Sequence, residues 1–284
     1  MTRNQRRLSA NYASIAVAYA LTGLALIPLG LVLWFTVAKG LPAVVHPEFF
    51  VNVERPVGVP GAGIAHAIAG TLIIVGIASV VAIPVGVLGG IYLGEYGASP
   101  WTQWVRLACD VLVGTPSIAI GLFVYAFLVL PFHHFSGFSG AGALAVLMVP
   151  VVIRTTENAV SLVPHGLRES GLALGLPRWR VSLQLMLPAA APGVITGALL
   201  SVARASGETA PLLFTAFGNP FFILDPSQPM QTLPVTVFHN ALLPYPSLQE
   251  QAWGAALVLV VVVLLINLAS RYLLRRQIRL AGQL

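Results

Sequence analysis

Charged residues are scarce in this chain of 284 residues, of which only 8% are Asp, Glu, Lys or Arg. Soluble globular domains have about 25% charged residues, so the composition excludes an ordinary soluble domain. Hydrophobic residues make up 57% of the chain, and the mean hydropathy is +0.87. These values indicate a polytopic membrane protein, which we expect to be all-α.

Several features of enzymes and binding modules are also missing. Cysteine occurs once, at Cys109, so no intrachain disulfide can form. The absence of a G-x-x-x-x-G-K-[ST] loop excludes a nucleotide-hydrolysing site on this chain. The six histidines lack the spacing of metal ligands, and no polar segment is large enough to hold an enzyme site. We therefore predict no catalytic residue, no metal site, no bound cofactor and, without a basic aromatic patch, no nucleic-acid partner.

Six apolar segments are long enough to cross roughly 30 Å of hydrocarbon as helices. They lie near residues 12–38, 66–94, 106–130, 140–160, 189–216 and 251–273. The first segment follows arginines but is too long for the apolar core of a signal peptide, so we expect it to stay attached. The sequence thus predicts one transmembrane domain over residues 1–284.

The distribution of basic residues indicates the orientation of this domain. With both termini in the cytoplasm, the outer side has Lys39 and Arg55, and the loop 217–250 has neither Lys nor Arg. The cytoplasmic side then holds Arg3, Arg6, Arg7, Arg106, Arg168, Arg178, Arg180, Arg271, Arg275, Arg276 and Arg279. Because cytoplasmic loops are rich in Lys and Arg, we expect a multi-pass protein of the cell inner or plasma membrane with both termini cytoplasmic.

Glycine and proline positions predict how the spans pack. Glycines four residues apart offer small faces for close helix contact, and they are Gly86, Gly90, Gly94, Gly193 and Gly197. Within the third span, Pro116 is flanked by Thr115 and Ser117. Their hydroxyls can bond the backbone carbonyls that a proline leaves free.

A polar loop of about residues 161–187 lies between the fourth and fifth spans. It contains the pattern E-S-G-x3-G-x9-L-x-L-P, formed by Glu169, Ser170, Gly171, Gly175, Leu185, Leu187 and Pro188. We predict a short helix near residues 169–176, with Glu169 near its N-terminus and Gly175 ending it in a left-handed conformation. Small residues would let this helix dock closely on a separate cytoplasmic chain. An ordinary loop with this spacing by chance is the alternative.

Ionisable residues also occur within or at the ends of the spans, where an unpaired charge costs about 2.5 to 3.5 kcal/mol. They are Asp110, Arg154, Glu157, Arg204 and Glu208. The spacings i,i+3 for Arg154 and Glu157 and i,i+4 for Arg204 and Glu208 place each pair on one helix face. Arginine suits a tetrahedral oxyanion, and a neighbouring carboxylate favours one that still carries a proton, which is phosphate rather than sulfate. The alternative is mutual neutralisation that permits insertion.

Two sets of motifs resemble known families. The loop pattern is similar to the E-A-A-x3-G-x9-I-x-L-P loop of ABC importer permeases, with Ser170 and Gly171 in place of alanines and Leu185 in place of isoleucine. The runs RTTE at 154–157, GTPSI at 114–118 and GETAPLL at 207–213 resemble the phosphate-specific PstA permeases. The resemblance covers roughly residues 66–220 and concerns only the layout elsewhere.

This resemblance implies the type I ABC importer permease fold and a role as the permease subunit of an ATP-driven importer of inorganic phosphate. The implied partners are a PstC-like second permease, a PstB-like ATPase dimer that binds the ATP, and a PstS-like phosphate-binding protein. The implied phosphate path contains Arg204, Glu208, Arg154, Glu157, Thr115 and Ser117. The implied ATPase contact contains Glu169, Ser170, Gly171, Gly175, Leu187 and Pro188.

Three rival functions remain open from the sequence. The same architecture could carry another oxyanion, such as sulfate, molybdate or phosphonate. An ion-coupled secondary transporter or a membrane-embedded enzyme could also have six spans and buried charges. The docking loop favours the ABC importer, because a secondary carrier has no use for a helix that docks on a nucleotide-binding subunit.

Overall fold

The computed structural model describes residues 3–97 and 99–281, and these residues form helices and no strands. Side chains are described over the same ranges except at residues 3, 5, 6, 8–10 and 273–281. Part of the predicted cytoplasmic set of arginines lies outside the described side chains, namely Arg3, Arg6, Arg275, Arg276 and Arg279. The all-α prediction agrees with the described residues.

Twelve α-helices are present in the described residues. In chain order they are α1 (Arg3–Val44), α2 (Glu48–Val51), α3 (Ala65–Glu95), α4 (Pro100–Gly114), α5 (Ser117–Val124), α6 (Gly137–Ser161), α7 (His165–Ala173), α8 (Arg178–Arg180), α9 (Leu187–Ser206), α10 (Ala210–Thr215), α11 (Leu233–Ala241) and α12 (Pro246–Ala281). A π-helical segment, Tyr125–Val129, extends α5, and another, Val181–Met186, joins α8 to α9.

Five helices of the described residues are long and apolar enough to span a membrane. They are α1, α3, α6, the continuous helix Arg178–Ser206 and α12. The third predicted span, 106–130, is instead a pair of helices, Pro100–Gly114 and Ser117–Val129. The chain bends by 106° at the break between them. The described chain therefore has six spans, as predicted, if the bent pair crosses the membrane as one.

The bend in the third span lies at Thr115 and Pro116. Proline has no backbone N–H and disfavours the helical conformation at the residue before it, so α4 ends at Gly114. The Thr115 hydroxyl donates a hydrogen bond of 2.7 Å to the carbonyl of Val111, as predicted for a hydroxyl beside Pro116. The predicted span 106–130 is thus divided at this proline into two helices, the first of which begins earlier, at Pro100.

The predicted fifth span, 189–216, also needs correction. The continuous helix begins at Arg178 and ends at Ser206, where Gly207 caps it. The separate helix α10 then begins with Pro211 in its first turn, a position that proline favours. As a result, the loop that we predicted to be cytoplasmic ends at Pro177 and not near residue 187.

Helix α6 lies between α3 and α9 and contacts both through glycines. A Cβ added at Gly90 of α3 would be 2.5 Å from the Cβ of Thr156, and one at Gly197 of α9 would be 2.5 Å from the Cβ of Thr155. Gly86, Gly94 and Gly193 make equivalent contacts, with Val152, Val160 and Ala159 respectively. The predicted small faces are thus the surfaces on which these three helices approach one another.

The predicted outer loop 217–250 contains the packed helix α11. The backbone N–H of Leu233 donates to the Thr71 hydroxyl of α3 at 2.9 Å. The Asn240 amide donates to Gln251 of α12 at 2.9 Å, and the Gln251 amide donates to the carbonyl of Gly63 at 2.7 Å. Because these bonds are buried, this segment forms part of the helix bundle and is not a free loop.

Candidate functional site

Arg154 of α6 lies between two carboxylates. Its Nη1 is 2.8 Å from Oε2 of Glu157 on the same helix, and its Nε is 3.1 Å from Oδ1 of Asp110 on α4. Glu157 has a second partner on α4, because its Oε1 is 2.6 Å from Nε of Arg106. The residues Asp110, Arg154, Glu157 and Arg106 therefore alternate in charge, and we call them the α4–α6 ion network.

Burial differs along the α4–α6 ion network. The side chain of Glu157 is 10% exposed, whereas that of Asp110 is 56% exposed. An ionised carboxylate buried in a membrane protein must be paired, since an unpaired charge there costs several kcal/mol. The two guanidinium groups meet this requirement for Glu157, and Asp110 forms the open end of the network.

Arg106, predicted only as one of the cytoplasmic arginines, bonds to Glu157, and the sequence prediction did not include this bond. Arg106 also donates from Nη1 to the carbonyl of Gly97 and from Nη2 to that of Leu93, both at 3.2 Å. Its guanidinium thus joins the end of α3 to α4 and α6. The sequence contained one indication that Arg106 belongs to this network. Arg106 and Asp110 have the i,i+4 spacing of residues that share a helix face.

Arg204 lies in the last turn of α9, and its side chain is 53% exposed. Its Nε is 3.6 Å from Oε1 of Glu208, whose side chain is 17% exposed. The prediction that both residues share a helix face is wrong, because α9 ends at Ser206 and Glu208 follows in the turn. At 3.6 Å this ion pair is weak, and about half of the Arg204 side chain stays exposed.

The surface beside Arg204 is formed by α6 and α9. A cleft of about 10 Å³ lies next to its side chain and has room for at most one water molecule. Its other lining residues are Leu147, Met148, Val151, Ser201, Ala205 and Glu208. Arg204 is therefore displayed on a face of the single chain and not inside an enclosed cavity.

Helix α5 of the third span contacts the GETAPLL run that follows α9. A Cβ added at Gly121 of α5 would be 2.5 Å from the Cα of Pro211 in α10. Thr115 lies at the bend that begins α5, and Ser117 is half-buried in its first turn. Among the hydrogen bonds of the described residues, neither hydroxyl bonds to an arginine of the predicted path. The prediction that Thr115 and Ser117 line the phosphate path rests on the GTPSI motif alone.

The helix predicted near residues 169–176 is α7, which begins earlier, at His165, and ends at Ala173. Gly175 follows it with a φ of +78°, and its N–H donates to the carbonyl of Leu172 at 3.0 Å, so the predicted left-handed cap is present. Glu169 and Ser170 are exposed. Glu169 lies in the middle of α7, however, so the expected favourable interaction with the helix N-terminus is wrong.

Gly171 and the basic residue before the motif fix α7 to the rest of this chain. A Cβ added at Gly171 would be 2.6 Å from Cδ1 of Leu185, so this small residue allows close packing within the chain and not on a partner. Nη2 of Arg168 is 2.8 Å from Oε1 of Glu95 at the end of α3. Leu187 and Pro188, the end of the motif, belong to the continuous helix Arg178–Ser206.

Comparison with known proteins identifies the class to which this fold and site belong. Residues 86–279 match the family described as "Binding-protein-dependent transport system inner membrane component". The chain belongs to this family of membrane transport subunits, and the predicted location in the inner membrane as a multi-pass protein is confirmed.

More similar relatives define the subgroup. "Phosphate transport system permease protein PstA" of Yersinia pestis is 43% identical over 247 residues, which cover 87% of this chain and 83% of that protein. PstA of Haemophilus influenzae is 40% identical and covers 95% and 93%, and "PstA 1" of Mycobacterium tuberculosis is 38% identical and covers 94% and 90%. The chain thus belongs to the PstA-type ABC transporter permeases, and it is a transporter subunit and not an enzyme.

Solved structures support the same fold. The chain is similar to the inward-facing MetNI methionine ABC transporter in its native crystal form, with a TM-score of 0.60, 20% sequence identity and coverage of 75% of this chain and 94% of that one. A second crystal form of MetNI gives a TM-score of 0.56. The predicted type I ABC importer permease fold is confirmed.

Proposed function

We propose that this chain is the permease subunit of an ATP-driven importer of inorganic phosphate. Its similarity to phosphate transport permeases over most of its length supports this function. The structural observation that carries the proposal is the half-exposed side chain of Arg204, which lies near the end of a membrane-spanning helix with Glu208 beside it. Arginine binds a tetrahedral oxyanion through paired hydrogen bonds and keeps its charge when desolvated.

The exposure of Arg204 favours a second permease on this face. A guanidinium that faces lipid is costly, so in the membrane Arg204 must face protein or water. A PstC-like permease packed against this side would create a path between the two chains, in which Arg204 and Glu208 meet phosphate. Arg154, with Glu157 on its own helix, is the second proposed contact, and Thr115 and Ser117 line the path at the bend of the third span.

The cytoplasmic partner is a PstB-like ATPase dimer. We propose that α7 docks on it through the exposed residues Glu169 and Ser170, with both termini of this chain on the same side of the membrane. The bond between Arg168 and Glu95 would transmit the motion of α7 to α3. ATP is bound and hydrolysed by the partner, and a PstS-like binding protein delivers phosphate to the outer face.

Reconstitution of the four components in proteoliposomes tests this function. We expect uptake of radiolabelled phosphate that requires ATP hydrolysis and stops with a non-hydrolysable ATP analogue. Excess sulfate, molybdate or phosphonate should not compete. Competition by one of these anions would favour the corresponding transporter, and uptake driven by an ion gradient without ATP would contradict an ABC importer.

A further inference from the structure

Asp110 binds Arg154 in the geometry that a phosphate would use. Oδ1 of Asp110 is 3.1 Å from Nε of Arg154, and Oδ2 is 3.3 Å from Nη2. This two-point contact on one edge of the guanidinium is the arrangement in which arginine binds both carboxylates and phosphates. Phosphate and Asp110 therefore compete for the same donors, since both cannot occupy this edge at once.

We propose that Asp110 is an internal substitute for phosphate, which occupies Arg154 in the empty transporter and is displaced when phosphate arrives. This inference rests on the proposed role of Arg154 as a phosphate contact. The two carboxylates on Arg154 differ in the way that the exchange requires. Asp110 is 56% exposed and its bonds are long, whereas Glu157 is 10% exposed and 2.8 Å from Nη1. Asp110 is the partner that leaves, and Glu157 is the one that stays.

Arg106 is the positioning residue for this exchange. Its Nε holds Glu157 at 2.6 Å, and its two other nitrogens are anchored on the carbonyls of Leu93 and Gly97. Arg106 thus holds the carboxylate oxygen of Glu157 that Arg154 does not contact. With Glu157 fixed, the Nη1 bond keeps the Arg154 guanidinium in place while its other edge changes partner.

The exchange also couples phosphate binding to the position of α4. Asp110 belongs to α4, the half of the bent span before Thr115, whereas Arg154 belongs to α6. Displacement of Asp110 removes an ion pair that joins these helices. The neighbouring residue Cys109 is buried at 4% exposure in the contact between α4, Leu93 and Ile153, so its accessibility follows any loosening of α4.

The test uses the complex of both permeases with the ATPase, purified without the binding protein. Equilibrium dialysis with radiolabelled inorganic phosphate gives its affinity, and mass spectrometry of this chain gives the rate of Cys109 alkylation by N-ethylmaleimide. Asp110→Asn should bind phosphate about tenfold more tightly if Asp110 occupies Arg154 about nine-tenths of the time. Phosphate should accelerate Cys109 alkylation in the wild type, while alkylation in Asp110→Asn should be fast without it.

Matched variants complete this test. Asp225→Asn makes the same chemical change at an exposed site whose carboxylate bonds to Ser227, and it should leave both measurements unchanged. Arg106→Gln should weaken phosphate binding, and Arg106→Lys should restore part of it. An Asp110→Asn affinity equal to or weaker than that of the wild type would overturn the proposal, as would failure of both Asp110→Asn and Asp110→Ser to assemble.

A further variant, Arg154→Gln, distinguishes failure of this exchange from failure of the proposed function. If Arg154→Gln binds phosphate as tightly as the wild type, Arg154 is not a phosphate contact and the proposed path is wrong. If Arg154→Gln loses binding but Asp110→Asn does not gain it, the path stands and the exchange with Asp110 is refuted.

Discussion

Gly90 of α3 lies directly against Thr156 of α6, where a Cβ on the glycine would be 2.5 Å from the Cβ of the threonine and 2.6 Å from the carbonyl oxygen of Ile153. No side chain larger than hydrogen fits between the two helices at this level. Thr156 precedes Glu157, the buried carboxylate of the α4–α6 ion network. The close approach of α3 and α6 therefore determines where the end of α3 meets Arg106, which bonds to Glu157 and to two carbonyls near that end.

We predict that Gly90→Ala destabilises the protein by about 1 to 3 kcal/mol, the usual cost of an added methyl group in a packed core. The measurement is the thermal unfolding temperature of the purified complex in detergent. Gly76→Ala is the matched control on the same helix, because a Cβ at Gly76 has nothing within 4 Å. Equal stability of Gly90→Ala and Gly76→Ala would contradict the packing of α3 on α6.

A second prediction concerns the end of α7. Gly175 has a φ of +78°, which costs a residue with a side chain about 1 to 2 kcal/mol. Gly175→Ala should therefore distort the turn after α7 and reduce both retention of the ATPase on purification and phosphate uptake. Gly166→Ala, at a position of the same helix with open space around it, is the control and should retain both. Full retention and uptake by Gly175→Ala would argue against α7 as the docking helix.

A third prediction follows from Glu54, which lies in the segment between α2 and α3. Burial raises the pKa of Glu54 above its usual value of 4.5, although the charge of His239 and a hydrogen bond with Asn240 lower it in part. The folded state thus holds the proton more tightly than the unfolded state does. The resulting stabilisation is present below the usual pKa and is lost as the pH rises through the raised pKa of the folded state.

Glu54→Gln has nearly the same shape but cannot ionise, so it should raise the unfolding temperature more at pH 8 than at pH 5. Asp225→Asn is a control of opposite sign. Hydrogen bonds from the backbone and the hydroxyl of Ser227 lower the pKa of Asp225, so its stabilising effect is present at neutral pH and lost in acid. A Glu54→Gln variant that is less stable than the wild type at pH 8 would show that the ionised carboxylate is favourable where it lies.

Much of the fold was predictable because lipid imposes strong constraints on the sequence. Apolar length located the spans, and the four-residue spacing of glycines predicted the small packing faces of α3 and α9, although not that both contact α6. The size of the bend at Thr115 and Pro116 was not predictable, since a proline within an apolar segment indicates a break but not the angle between the two helices. The packing of α11 was missed because its burial depends on partners distant in sequence, such as Thr71 and Gln251.

The candidate site was predictable where its residues are close in sequence. Arg154 and Glu157 are three positions apart, and the structure pairs them. The bonds of Asp110 to Arg154 and of Arg106 to Glu157 join residues 44 and 51 positions apart. A local sequence pattern does not predict contacts between residues so far apart in the chain. Similarly, the contact of Gly171 with Leu185 joins residues on opposite sides of the predicted turn at Gly175, and the turn alone does not fix which of them meet.

The most direct test of the proposed function is phosphate uptake by Arg204→Gln in proteoliposomes that contain the complete importer. Removal of the charged contact between Arg204 and phosphate should cost about 2 kcal/mol or more. Uptake should therefore fall at least about 30-fold, while the complex still assembles. Arg271→Gln, the same change at an exposed residue of α12, should transport at the wild-type rate. Uptake by Arg204→Gln at the wild-type rate would contradict the proposal that Arg204 meets phosphate on its path through the membrane.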